Sequence, residues 1–181
     1  ERLPQNLVLG SETSSTVSSR GVYKFPAERK AGAIYDDHQS SSYDLEYCSW
    51  SNIPDIDFAL ADDYPWTLGQ FVWTGFDYLG EPSPYDTDAW PNHSSLFGII
   101  DLASIPKDRY YLYRSVWNKN EVTLHMLPHW NWKGREGQKV PVFVYTNFPS
   151  AELFVNGKSY GRKYKNNPVS YTHLRAPRDT R

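Results

Sequence analysis

The sequence predicts a chain in two parts, an α/β region up to about residue 118 and an antiparallel β region after it. Three observations carry that reading. The short continuous apolar runs Leu7-Val8-Leu9-Gly10 and Phe71-Val72-Trp73 suit strands buried on both faces, as parallel strands are. Asp55 to Tyr64 between them has a helical pattern, giving the strand, helix, strand order of a right-handed crossover. After Asn118 the period changes to alternation, through Val122–Met126, Val140–Tyr145 and Leu153–Val155.

In chain order, Glu12 follows the first apolar run directly. Ser11, Thr13, Ser14, Ser15 and Thr16 surround it with hydroxyls able to hold a carboxylate ionised. On composition alone it reads sooner as a solvated glutamate in a Ser/Thr-rich loop. Ser18 to Pro54 is rich in turn formers (Gly21, Pro26, Gly32, Ser40-Ser41-Ser42), yet Tyr23, Phe25, Tyr35, Tyr43, Tyr47 and Trp50 recur through it. A long loop with that many rings is expected to be packed, with most rings serving as anchors. Cys48 is alone, which excludes a disulfide framework and a zinc-type cluster and suits a small buried hydrophobe. In the helix, Asp55 lies near the start, Ile56, Ala59 and Leu60 share a face, and Pro65 ends it.

The second apolar run breaks into glycines, Asp77 and then Glu81-Pro82, the pattern of a buried strand surfacing into a loop that carries chemistry. A sugar presents C–H patches on its faces and hydroxyls around its rim, so flat rings beside acids suit it. Trp73 offers such a face near the strand end, with core packing as the alternative. Asp77 is a candidate for hydrogen-bonding sugar hydroxyls, and Glu81 is assigned to the turn. In the connection from Pro82 to Ser104, Asn92, His93, Ser94 and Ser95 could border a site; His93 reads otherwise as a loop histidine bonded to backbone. Pro106 is expected to open the last helix and Asp108 to complement its dipole, with Tyr110, Tyr113 and Trp117 as a core stripe at i, i+3, i+7. Asn156-Gly157 is a two-residue hairpin signal. Trp130-Asn131-Trp132 is a sugar platform or a packed loop pair. The domain boundary is expected near Asn118 to Asn120.

The 181 residues are unusually aromatic (Trp 7, Tyr 14, Phe 8) with a net charge of −2. Nothing in that balance favours nucleic acid or an anionic membrane, and no apolar run approaches the ~20 residues of a membrane-spanning helix. The chain begins almost directly in a strand and closes on Pro168 to Arg181, which has no apolar period, so a piece of a longer protein is expected. That tail resembles translated sequencing-adaptor read-through and is set aside from the fold.

The residues also carry a family resemblance. Phe71-Val72-Trp73-Thr74-Gly75-Phe76-Asp77-Tyr78-Leu79-Gly80-Glu81-Pro82 resembles the eighth barrel strand of family 2 glycoside hydrolases of the β-galactosidase type, and Ser11-Glu12-Thr13-Ser14-Ser15 the end of their seventh. Trp90-Pro91, Ser94-Ser95-Leu96-Phe97-Gly98-Ile99-Ile100-Asp101 and Pro106-Lys107-Asp108 resemble the stretch that follows. The resemblance runs from about Leu7 to about Tyr164. It implies the C-terminal portion of a (β/α)₈ TIM barrel (residues 1–118), then a truncated antiparallel β-sandwich of immunoglobulin-like type (119–167).

By that resemblance Glu12 falls on the nucleophile and Trp73 on a tryptophan of the sugar-binding floor. Asp77 and His93 are further substrate-binding candidates. Retaining hydrolysis needs a second carboxyl group about 5–5.5 Å from the first. The resemblance puts it in an Asn-Glu pair on an earlier strand, and the one such pair here, Asn120-Glu121, lies at the sandwich boundary. The implied function is therefore that of a fragment, inactive alone, of a retaining hydrolase of terminal β-D-galactosides. No cofactor or metal is implied; the partner is a β-linked carbohydrate substrate, and a homo-oligomer of the parent is left open. β-Glucuronidase and β-mannosidase are the alternatives within the family. A uronic acid would want a cation, and Arg20 is the only one nearby, which favours a neutral sugar. Outside the family, a non-catalytic carbohydrate-binding module using Trp73, Trp130 or Trp132 and a purely structural accessory domain compete.

Overall fold

The computed structural model describes residues 6–82 and 94–165, and the backbone of 176–179. The chain divides into two compact units, Glu1–Lys107 and Asp108–Arg181.

In the first unit β1 (Val8–Ser14) and β4 (Thr67–Trp73) pair in parallel, with the crossover helix α1 (Pro54–Asp63) between them in sequence. The register sets Val8 opposite Thr67, Gly10 opposite Gln70 and Ser14 opposite Trp73. Two-residue strands β2 (Lys30–Ala31) and β3 (Glu46–Tyr47) pair in the long loop. The strand, helix, strand order is as expected, but burial on both faces is not. Val8, Leu9, Leu68 and Phe71 are all about half exposed or more, because among the described residues β1 and β4 have only each other as neighbours. On α1 the buried positions are Pro54, Asp55 and Phe58, instead of the expected Ile56, Ala59 and Leu60 face. Phe58, the largest apolar group on the helix, takes the inner side, and Leu60, about half a turn round, is left outside. The amide of Tyr64 closes the last turn on the Leu60 carbonyl before Pro65.

A small core of Val17, Cys48, Leu96 and Phe97 holds this unit, with Trp73 and Tyr78 packed against it. Tyr43 anchors the long loop as expected: it is fully buried, with Tyr23 and Phe25 edge-on at 5.1 and 6.0 Å between ring centres. Trp50 stays largely exposed.

The second unit comprises α2 (Asp108–Trp117), β5 (Leu124–Leu127), β6 (Lys139–Thr146), β7 (Ser150–Val155), β8 (Lys158–Tyr164) and β9 (Ala176–Asp179). β6 pairs antiparallel with β5 and β9, and β7 pairs with β8. The β7–β8 turn has φ of +50° at Asn156 and +77° at Gly157, the two positive angles that the Asn-Gly signal predicts. α2 packs on β5 and β6: His125 Nε2 lies 2.6 Å from Asp108 Oδ1, and the Tyr111 ring stacks on His125 at 4.0 Å. Helix α2 therefore groups with the strands, ahead of the boundary expected near Asn118 to Asn120. Its buried positions are Arg109, Leu112, Tyr113 and Ser115, so of the aromatic stripe Tyr113 is buried while Trp117 is about half exposed. Pro106 does not open the helix; it sits two residues earlier, bridged to Ile100. The stretch set aside at the end of the chain contributes β9.

Val142 and Val144 of β6, Leu124 and Met126 of β5, and Ala151 and Leu153 of β7 line one groove of about 290 Å³.

Candidate active site

The site is built at the carboxyl ends of β1 and β4. Gly10 pairs with Gln70 and Thr13 with Val72, so Ser11 and Glu12 together oppose Phe71 alone. That extra residue is a β-bulge, which breaks the strand's alternation and re-aims the side chains it carries. Glu12 lies in the bulge and is exposed. Glycine at position 10 suits this path, because a Cβ there would meet Thr13 Cγ2 at 2.7 Å. Beyond the bulge, Ser14 and Ser15 take φ of +68° and +49°, a left-handed backbone that costs a non-glycine residue energy and must be held from outside.

The hydroxyls expected to hold Glu12 hold the strand end instead. Thr13 Oγ1 donates to Gln70 Oε1 at 2.6 Å, Ser14 Oγ to Asp57 Oδ2 at 2.6 Å and Thr16 Oγ1 to the Asn52 carbonyl at 2.8 Å. Ser51 Oγ donates to the Ser15 carbonyl at 3.0 Å. Each satisfies a group that the irregular backbone or its neighbours would leave unpaired. Burial pushes the Asp57 carboxyl above its ordinary pKa, even though Ser14 and Asn52 donate to it.

Trp73 closes β4 directly opposite Ser14. Its Nε1–H donates to Tyr78 Oη at 3.2 Å, and the two rings meet edge to face, 5.9 Å apart at 84°. Tyr78 donates its own hydroxyl proton to Glu81 Oε2. Burial, and then the Glu81 carboxylate, push the Tyr78 phenol up to about 12.

Asp77 points into the unit. Lys107 Nζ lies 2.8 and 2.7 Å from its two oxygens, and the Gly98 amide donates to Oδ1 at 2.8 Å. The Lys107 side chain is 1% exposed and that of Asp77 7%. Lys107 also donates to the Ser18 carbonyl at 2.8 Å, so one ammonium ties the exits of β1 and β4 together. The chain at 98 passes so close that a Cβ on Gly98 would lie 2.0 Å from the Asp77 nitrogen. Arg20 is engaged by Asp101 at 2.5 Å. His93 lies outside the described residues.

The structure thus brings Glu12 and Trp73 to adjacent strand ends and turns Asp77 inward. Sequence reasoning missed Tyr78 and Lys107. For Tyr78 a signal existed, since a packed indole N–H needs an acceptor; for Lys107 the signal was its place in the Pro106-Lys107-Asp108 motif, which says nothing of its partners.

Three comparisons bear on this site. Residues 137–177 match a family described as a domain of unknown function, DUF4982. Over 171 residues the chain is 42% identical to a β-galactosidase, BoGH2A, of Bacteroides ovatus, across 90% of this chain and 19% of that protein. It is 43% identical over 101 residues to a putative β-glucuronidase of Formosa agariphila, across 55% of this chain and 10% of that protein. A solved β-glycosidase from Bacteroides vulgatus superposes with a TM-score of 0.74 at 31% identity, covering 93% of this chain and 23% of that one. The chain spans between 10% and 23% of the length of these relatives. With strand-end motifs, sequence and fold in agreement, the chain belongs to the family 2 glycoside hydrolases.

Proposed function

We propose that this chain is the part of a retaining β-glycosidase that carries the nucleophile, Glu12, and the sugar platform, Trp73. The observation that carries the reading is the bulge at Ser11 and Glu12. It puts an exposed carboxylate at the end of a parallel strand whose last residue, Ser14, faces Trp73. In a (β/α)₈ barrel that end is where catalytic groups project. The β1-α1-β4 arrangement, with apolar side chains exposed along both strands, supports assigning the first unit to such a barrel, and we extend that assignment through α2 to residue 118. The strands after residue 118 fit an incomplete β-sandwich.

In this reading Glu12 attacks the anomeric carbon as the glycosidic bond breaks, forming a glycosyl ester. An acid/base carboxyl from elsewhere in the parent protonates the departing oxygen, then takes a proton from the water that cleaves the ester. Asp77 acts as a strut under the site, while His93 remains a candidate at its border. The substrate proposed is a terminal β-D-galactoside. Arg20, the cation a uronic acid would call for, is occupied by Asp101, which favours a neutral sugar. β-Glucuronide hydrolysis is the second reading, favoured by the relative of that name.

The test uses the full-length parent. A 2-fluoro-galactoside should label the peptide containing Glu12, and Glu12→Gln should lower turnover at least ~10³-fold. Full turnover by that variant overturns the assignment. Faster hydrolysis of the glucuronide than of the galactoside replaces the substrate and keeps the nucleophile. The chain alone, without the acid/base carboxyl, should release no nitrophenol from a nitrophenyl galactoside.

A further inference from the structure

An indole has a single polar atom, and when the ring is packed that N–H must find an acceptor or lose a hydrogen bond to water. Trp73 packs against the core of Val17, Cys48, Leu96 and Phe97, and its acceptor is the Tyr78 hydroxyl, five residues on. The phenol in turn is held from three sides. Its ring packs on the same core, its backbone exchanges bonds with Ser95 (amide to Oγ at 3.2 Å, carbonyl from the Ser95 amide at 2.9 Å), and its hydroxyl donates to Glu81. The direction of the chain is fixed: indole N–H to phenol oxygen, phenol O–H to carboxylate. A proton stays on the phenol at any working pH, since its pKa lies near 12.

We infer that Tyr78 is a positioning residue: it fixes the tilt of the Trp73 indole against the sugar, and Glu81 holds Tyr78 in place. The inference rests on the proposed role of Trp73. A ring face contributes to a bound pyranose only while its orientation matches the sugar's C–H groups, and the terminal torsion of an indole is broad when nothing fixes it. Neither Tyr78 nor Glu81 needs to touch the sugar.

The test is a double-mutant cycle in the full-length parent, read on kcat/KM for a nitrophenyl galactoside. Tyr78→Phe keeps the ring and removes the acceptor, and should lower kcat/KM about tenfold, the size of a lost positioning hydrogen bond. Trp73→Phe has no N–H to hold. In that background Tyr78→Phe should change kcat/KM less than about twofold, a non-additivity expected only for coupled neighbours. Equal factors in both backgrounds overturn the inference, because Tyr78 would then be acting by packing alone. Should Tyr78→Phe fail to fold, Glu81→Ala at the exposed end of the relay gives the same cycle, with an expected loss of about threefold that again vanishes with Trp73→Phe. An additive result in a parent that is active and loses turnover with Glu12→Gln sinks this inference alone. A parent that hydrolyses no glycoside sinks the functional reading and this inference with it.

Discussion

The two units bury different balances of side chain. Beside its apolar core, the first buries many hydroxyls and charges: Ser14, Thr16, Ser18, Ser40, Ser42, Glu46 and Lys107 are each less than a tenth exposed. The second buries a regular strand, with Val140 and then Val142, Phe143, Val144 and Tyr145, along with Arg109 of α2. Backbone shape explains the difference. Among the described residues, positive φ at non-glycine positions falls at Ser14, Ser15, His38, Asp44, Glu81 and Ser104 in the first unit, but only at Asn156 in the second. A sheet ladder satisfies its own N–H and C=O groups, so its side chains are free to be apolar. Irregular backbone leaves those groups to side chains, which must then be polar. The catalytic candidates lie in the irregular unit, where the backbone can aim a carboxylate out of a strand.

The largest effect expected from this contrast is at Lys107. Lys107→Met removes the cation but leaves the Asp77 carboxylate and the Ser18 carbonyl buried, and should cost about 4 kcal/mol. Hydrogen exchange in the full-length parent should speed up in peptides spanning 72–82 and 94–101, with β5 and β6 unchanged. Unchanged exchange would mean that the ion pair is not what holds the strand exits. Asp77→Asn separates its two assignments. A strut predicts lower thermal stability with KM kept, whereas a raised KM at unchanged stability would return Asp77 to the sugar.

The apolar unit should break differently. Phe143 is fully buried and lies opposite Leu127, itself fully buried. Phe143→Ala removes a ring that the surrounding sheet cannot close over, and should cost about 3 kcal/mol. Protection should be lost across α2, β5 and β6 and retained in β1 and β4. Loss in all of them together would show that the units unfold as one.

How much of this was legible follows the same division. The β7–β8 hairpin could be read because Asn-Gly is a local chemical requirement for two positive φ values. Strand order around α1 could be read from period. Exposure of β1 and β4 could not: an apolar run says that a strand wants neighbours, not which neighbours are present. The inward turn of Asp77 depends on Lys107, thirty residues away, and Lys107 reaches Ser18 across a separation of 89 residues. No local pattern encodes either pairing. Glu12 was singled out by family resemblance, since composition alone made it a loop acid, and the bulge that lifts it out of the strand has no sequence mark beyond Gly10.

The smallest effect is one of pH, and it also divides the units. Glu46 is buried, accepting from Tyr35 Oη at 2.5 Å and the Ser41 amide at 2.7 Å. Burial outweighs these donors and raises its pKa above the ordinary 4.5. Asp57 is raised for the same reason. A raised carboxyl means that the folded state holds its proton more tightly than the unfolded one. Stability from these groups is therefore fully present below the unfolded pKa and is lost as pH climbs from there through the folded pKa. Exchange around residues 14–19 and 40–47 should accordingly slow as pH is lowered from neutral towards the ordinary glutamate value of 4.5, after correction for intrinsic exchange rates. β6 carries neither a carboxylate nor a histidine and should show no such trend. Glu46→Gln keeps one acceptor oxygen and cannot ionise, so it should flatten part of the response, leaving the share due to Asp57. A slope of the opposite sign would mean that the hydrogen bonds from Tyr35 and Ser41 outweigh desolvation, and that this polar interior is built to hold charge.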